Sequence, residues 1–303
     1  MGIAVTGCAA ALLAAGCSGG GGSSSAITAD GSSTVAPFTT RAAESFKQES
    51  PDTNVTVGIS GTGGGFERFC AGETDLSDAS RPIEADEAAL CKDAGIEYAE
   101  IPVANDALTL VVNAENDWAT CLTVDQLKRI WEPGSTVKSW RDIDPSFPDE
   151  PLKLYGPGTD SGTFDYFTNE IVGEEGASRS DYQASEDDNV VVEGVSGDKG
   201  ALGYFGFSYF EENQGRVKAV SVDGGDGCVT PSVESAQRGT YKPLSRPLYI
   251  YAKTSSLARP EVAAFLSHVL DNAASIAEQA KFVPLTNDQL AAAQEALAVA
   301  TSS

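Results

Sequence analysis

Between Ala26 and Ile171 the chain runs three times from a short β-prone segment, through a turn of glycines and hydroxyl residues, into a helix. This repetition constrains the fold more than any other feature. The densest copy spans Gly58–Pro82. Val55-Thr56-Val57 has strand character, Gly58-Ile-Ser-Gly-Thr-Gly-Gly-Gly65 follows, and Phe66 to Ala71 reads as a short helix. The glycines let backbone N–H groups approach a bound group without side-chain obstruction. A helix start leaves its first N–H groups unpaired and carries partial positive charge, so the combination suits a small oxyanion. Ser60 and Thr62 add hydroxyls. The first copy is Ala26-Ile-Thr-Ala-Asp30, then Gly31-Ser-Ser-Thr-Val-Ala-Pro37, then a helix with Val35, Phe38, Ala42 and Phe46 on its apolar face. Ser32, Ser33 or Thr34 is expected as its N-cap, and Pro37 fits a first turn. In the third copy the strand Leu152–Tyr155 leads through Gly156-Pro-Gly-Thr-Asp-Ser-Gly-Thr163 to a helix from Phe164 to Ile171. Such recurrence belongs to an α/β fold that binds ligands at strand ends.

The 303 residues suffice for two ordinary domains or one large one, and 41% hydrophobic content supports a sizeable core. A formal charge of −24 argues against a nucleic-acid or anionic-membrane surface, which needs clustered Lys and Arg. The carboxylates are scattered and show no EF-hand-like spacing, so they read as a solvated exterior. An anion site remains compatible with this acidity. Exposed charges beyond about 10 Å are screened by salt, whereas N–H dipoles act at contact.

The apolar run Ala9–Ala15 is too short to span a bilayer and ends in Leu13-Ala-Ala-Gly16-Cys17, similar to a bacterial lipoprotein signal. Residues 1–16 are then a signal peptide, Cys17 the lipidated residue, and 17–25 a flexible Ser/Gly tether. Ala14 stands where such signals usually have Leu, and no Lys or Arg precedes Arg41. The missing basic start suggests initiation further upstream, with Gly7-Cys8 as a competing lipidation point. Export makes Cys70, Cys91, Cys121 and Cys228 disulfide candidates, and four cysteines allow three pairings. We expect Cys70–Cys91, which brackets the site segment locally, and Cys121–Cys228, which would tie distant parts of one lobe. Zinc is the alternative, but no Cys-x-x-Cys occurs.

Further along, Glu84–Ala94 reads as a helix, Glu97–Pro102 as a strand, Asn105–Asn113 as a buried strand, and Thr123–Trp131 as a Thr-capped helix. A strand is expected from Val190. Tyr204, Phe205, Phe207, Tyr209 and Phe210 read as core in preference to a sugar-stacking platform. A short helix at Pro231–Arg238, a buried strand at Leu248–Ala252 and two or three helices from Pro260 to Ala300 complete the chain. Asp160-Ser-Gly-Thr163 is the signature found around aspartic-protease carboxylates, but that chemistry needs a second such loop and none exists. His268 is the sole His. It falls with Glu261 away from the apolar face of Val262, Phe265, Leu266 and Val269, and is expected to be exposed. No Gly-Lys-Ser/Thr phosphate loop appears. The expectation is a non-enzyme without cofactor or metal.

Asp30-Gly-Ser-Ser-Thr34, Gly61-Thr-Gly-Gly-Gly-Phe66 through Ser80-Arg-Pro82, Asp160–Thr163 and Ala201-Leu-Gly-Tyr204 together resemble the PstS-type phosphate-binding lipoproteins of bacterial ABC importers, two-lobe (type II) periplasmic binding proteins. The resemblance implies an α/β fold with inorganic phosphate held between the lobes by Ser33, Thr34, Thr62, Ser80, Ser161, Gly162 and Thr163. Two positions depart from the family pattern. Ser80 stands where many members have an Asp accepting from protonated phosphate, and Pro157 where they have an Arg. Arg81 is expected to supply the missing charge, oriented by Asp160 or Asp78. The resemblance further implies lobe one at 26–105 plus 247–303 and lobe two at 106–246, hinged at Asn105–Thr109 and Arg246–Tyr249. It also implies a monomer on the outer face of the cell membrane, attached only through its lipid, that closes on phosphate and delivers it to a permease. The alternatives are a carrier of another tetrahedral oxyanion, sulfate or molybdate, and a secreted phosphate-ester hydrolase.

Overall fold

The computed structural model describes residues 1–2 and 25–302; residues 3–16 of the expected signal with Cys8, and Cys17 with the Ser/Gly run to residue 24, lie outside them. From β1 (Ser25–Gly31) the chain passes through α1 (Ala36–Glu49), β2 (Thr53–Val57), α2 (Gly61–Cys70), β3 (Leu76–Ala79) and α3 (Ala85–Asp93) to the long β4 (Tyr98–Asn113). Next come β5 (Cys121–Thr123), α4 (Val124–Trp131), α5 (Trp140–Ile143), β6 (Lys153–Gly156), α6 (Gly162–Phe167) with a π turn at Thr168–Val172, β7 (Gln183–Ala184) and α7 (Asp188–Gly197). They are followed by β8 (Ala201–Gly206), α8 (Phe207–Glu212), β9 (Val217–Ala219), β10 (Ser221–Asp223), β11 (Cys228–Val229) and α9 (Val233–Gln237). Finally β12 (Ser245–Lys253) returns beside β4, and α10 (Thr254–Leu257), α11 (Pro260–Asp271), α12 (Ala273–Gln279) and α13 (Asn287–Thr301) end the chain.

The large sheet has the order β2-β1-β3-β12-β4-β8-β6-β7, with β9 also on β4, and β11-β10-β5 forms a small second sheet. β1 is parallel to both β2 and β3. Their C-terminal ends therefore share one edge, and the turns after Gly31, Val57 and Ala79 leave from the same side. β4 pairs with β12 from Tyr98 to Ala107 and with β8 from Leu108 to Val112, so one strand runs through both lobes. The sequence suggested two strands here. Pro102 interrupts the pattern, but the register of β12 shifts between Leu248 and Tyr249 opposite it, and pairing resumes past the bulge.

Each lobe has its own core. One cluster draws Ile27, Phe38, Ile101, Ile250 and Phe265 together, and another gathers Leu110, Trp131, Trp140, Phe167 and Tyr204. Tyr204 and Phe205 are fully buried and Phe207 nearly so, with Tyr209 and Phe210 packed at the margin of a smaller cluster. The disulfides Cys70–Cys91 and Cys121–Cys228 are both formed. The first ties α2 to α3, and the second ties β5 to β11.

Two expectations are corrected. The Val190 region is helix α7, not strand: the Asp187 side chain accepts the Asn189 N–H as an N-cap, and Val191, Val192 and Val195 bury at helical spacing. Gly194 in this helix lies against the Tyr155 ring, where a Cβ would collide. His268 is buried, not exposed. Its Nε2 lies 2.8 Å from Ser45 Oγ and its Nδ1 3.0 Å from Glu49, because α1 covers the side of α11 that lies beside the core-facing stripe.

Candidate anion-binding cleft

α2 begins at Gly61 rather than at Phe66, so the glycine run forms the helix's first turns. The reason is contact: a Cβ on Gly65 would lie 2.5 Å from Gly31 Cα, so glycine there lets α2 rest directly on the first turn. Asp30, buried at the end of β1, accepts the Ser60 N–H at 3.0 Å and the Ser60 hydroxyl at 2.6 Å and also pairs with Arg68. One carboxylate thus fixes the second turn to the first. The N-cap of α1 is Val35, without a side-chain cap, and not Ser32, Ser33 or Thr34. The chain makes one further turn before the helix, in which the Ser32 hydroxyl accepts the Val35 N–H at 3.4 Å, and all three hydroxyl residues border the cleft.

The cleft measures about 720 Å³ and is lined from both lobes. Ser33, Thr34, Thr62, Ser80 and Arg81 come from one side and Gly162, Asp165 and Tyr166 from the other, with Arg246 between them. Thr62 and Ser80 hydroxyls lie 3.1 Å apart, and the Ser80 N–H donates to Thr62 Oγ1 at 3.3 Å. The first and third turns meet: Thr34 Oγ1 donates to the Gly162 carbonyl at 3.5 Å, and a Cβ on Gly162 would lie 3.0 Å from Thr34 Oγ1. Ser161 caps α6 by accepting the Thr163 N–H at 3.2 Å. Ser161 and Thr163 are half-buried in the third turn, and only Gly162 of the three borders the cleft.

Arg81 is held otherwise than the sequence suggested. Its Nη1 and Nη2 each donate to Glu87 at 2.8 Å, Nη1 also meets the Pro82 carbonyl, and Nε lies 3.2 Å from Glu84. Neither Asp160 nor Asp78 orients it, because α3 presents two closer carboxylates. Asp160 is exposed, with its N–H donating to Glu186. Asp78 is fully buried behind the turns, accepting the Thr39 hydroxyl at 2.9 Å. Burial, with a further contribution from the Asp30 charge, pushes its carboxyl up to about 7 despite that hydrogen bond. Across the cleft, burial and the Glu175 charge raise the Asp165 carboxyl, while a hydrogen bond from Ser33 and the Arg246 charge oppose the shift.

Residues 18–273 match the PBP superfamily domain. Protein SphX of Synechococcus elongatus is 48% identical over 262 residues, covering 86% of this chain and 77% of that protein. The phosphate-binding protein PstS of Staphylococcus saprophyticus is 40% identical over 261 residues, covering 86% of this chain and 80% of its own length. The chain belongs to the PstS-type family of phosphate-binding proteins. The crystal structure of a possible phosphate binding protein from Planctomyces limnophilus superposes with a TM-score of 0.88 at 45% identity, over 91% of this chain and 99% of that one. An ABC-type phosphate transport receptor from Vibrio cholerae shares the fold, with a TM-score of 0.66 at 23% identity over 85% of this chain and 99% of the receptor.

Within this PstS-type frame the sequence reading missed Arg246 and Asp165. Arg246 stands opposite Asp106 in the β12–β4 register, and its Nε lies 3.4 Å from the Asp106 carboxylate. Burial raises the Asp106 carboxyl, and Arg246 counters that shift. A signal did exist: Asn105-Asp106 and Arg246-Pro247 occupy the two expected hinge strands, where cross-strand opposite charges pair. Asp165 had no such signal, because its place in the cleft depends on α6 facing the first turn.

Proposed function

We propose that this chain captures inorganic phosphate in the cleft and passes it to an ABC-type phosphate importer. The observation that carries the reading is the convergence of three strand–turn–helix units, two from one lobe and one from the other, on a single cleft bordered by Ser33, Thr34, Thr62, Ser80 and Gly162. Hydroxyls of the first and second turns, with the N–H of Gly162, form the ligand set, and Ser161 keeps the third turn in shape by accepting the Thr163 N–H. Residues 26–105 plus 247–303 act as one lobe and 106–246 as the other, with β4 and β12 as the hinge that closes on the anion. The chain acts as a monomeric carrier and not as an enzyme: its sole imidazole, His268, is buried against α1 and is not among the cleft-lining residues. The Gly16-Cys17 junction and the Ser/Gly run after it support export, with Cys17 as the lipid anchor to the outer face of the membrane.

Calorimetric titration of the anion-stripped protein with phosphate, repeated in excess sulfate and molybdate, tests the reading. Tight phosphate binding that sulfate leaves in place is expected. No phosphate heat, or equal competition by sulfate, would overturn the phosphate assignment.

A further inference from the structure

We infer that Arg246, and not Arg81, is the charge that meets the anion, so that the cleft's cation is mounted on the hinge. This rests on the phosphate reading of the cleft. Arg81 has little left to offer. Glu87 takes hydrogen bonds from both of its Nη atoms, Glu84 lies at its Nε, and the Pro82 carbonyl takes another from Nη1. Two carboxylates offset its single charge, and its side chain is 35% exposed.

Arg246 is placed differently. Its side chain is 17% exposed and borders the cleft. Nη2 donates to Thr34 Oγ1 at 2.9 Å, Nε lies 3.4 Å from Asp106, and Nη1 has no hydrogen-bond partner among the described residues. The guanidinium lies 3.4 Å from the centre of the Tyr166 ring, which is itself fixed by its hydroxyl donating to the Pro243 carbonyl at 2.7 Å. Stacking of this kind holds a planar fork in one orientation, and partial exclusion of water strengthens its pull on an oxyanion.

The contacts of Arg246 also span the closure. Thr34 belongs to the first turn of one lobe, Tyr166 to α6 of the other, and Asp106 to the neighbouring hinge strand. The free Nη1 and the Thr34 hydroxyl converge on the same cleft, so an anion seated against both is in contact with the joint itself. Opening the lobes would separate Tyr166 from Thr34 and release the guanidinium from one or the other. The anion's charge is therefore bound through the element that moves, which makes occupancy and closure one event.

The test is phosphate titration of the full chain as wild type, R246K, R246Q, D106N, D106N/R246Q and R81Q, with circular dichroism and melting of each apoprotein. The D106N background removes the buried carboxylate that R246Q alone would leave unpaired, and R246K retains a charge beside Asp106, so at least these variants should fold. We expect about 100-fold weaker phosphate binding in D106N/R246Q, about tenfold in R246K, and smaller losses in D106N and R81Q than in the double variant. A wild type that binds phosphate together with a folded D106N/R246Q that binds no more weakly than D106N would overturn the assignment alone. A larger loss in R81Q than in R246K and D106N/R246Q would return the role to Arg81. A wild type without phosphate heat would instead sink the phosphate reading on which the assignment rests.

Discussion

Replacing Asp78 by Asn should remove a pH dependence of stability that the wild type carries. Asp78 ends up fully buried because β3 lies between β1 and β12 and its side chain points behind the turns. One of its oxygens accepts from Thr39 and the other has no partner among the described residues. Burial, aided by the Asp30 charge, moves its carboxyl from the usual 3.8 to about 7. Between those two values the folded protein holds a proton that the unfolded chain has lost, so stability must fall as pH rises. The contribution is fully present below about pH 4 and is lost as pH passes through about 7. At about 1.4 kcal/mol per pH unit the interval is worth on the order of 4 kcal/mol. Asn cannot ionise and keeps a carbonyl for Thr39, so D78N should gain on the wild type by several kcal/mol between about pH 4 and pH 8. Urea unfolding of both proteins across that range measures the difference directly. A gap between them that does not change with pH would refute the reasoning, because it would mean that Asp78 titrates alike in the folded and unfolded chain.

Gly65→Ala should cost about 1–3 kcal/mol, since its Cβ would sit 2.5 Å from Gly31 Cα and push α2 off the first turn; an unshifted melting curve would contradict this packing. Gly162→Ala places a methyl 3.0 Å from Thr34 Oγ1 and should weaken phosphate binding about tenfold while the apoprotein melts as before. Equal affinity would show that the first and third turns do not approach this closely when phosphate is bound. Asp165→Asn should let sulfate compete with phosphate about ten times better, because Asp165 is a carboxylate on the cleft wall able to accept a phosphate proton that sulfate lacks. Competition calorimetry decides, and unchanged sulfate exclusion would assign the acceptor to another group.

What was legible beforehand is what local chemistry encodes. Gly31–Pro37, Gly58–Gly65 and Gly156–Thr163 announce themselves by glycine and hydroxyl content within eight residues or fewer, and the structure brings all three turns to one cleft. The errors arise where distant packing overrides a local pattern. Val190–Val192 is β-branched and reads as strand, yet Asp187 supplies a helix cap, and Val191, Val192 and Val195 bury at helical spacing while Val190 stays exposed. Pro102 divides β4 in the sequence, but a bulge in β4 at Val103, opposite Leu248 and Tyr249 of β12, absorbs it. His268 lies off the apolar stripe of α11 and would be wet if α1 were not laid across it through Ser45 and Phe46. Arg246 required the β4–β12 register, which no single segment contains.

The same geometry explains how a chain of net charge −24 can present an anion site. The cleft wall carries Asp165, Glu84, Glu170 and Glu175 beside Arg81, Lys242 and Arg246, so its gross charge does not favour an anion. What matters is which charges lie at contact and which are already matched. Glu84 is engaged with Arg81, and Asp30 behind the turns with Arg68 and Ser60. Asp78, whose carboxyl lies near 7, carries only part of a negative charge at neutral pH. The carboxylates behind the first two turns are thus partly neutralised, while Ser33, Thr34, Thr62 and Arg246 border the cleft. Solvent-exposed carboxylates elsewhere act through more than a Debye length of salt and are screened. On the proposed assignment, local dipoles and the one partly dehydrated guanidinium of Arg246 outweigh an acidic surface, and such a site needs no basic patch that composition could have revealed.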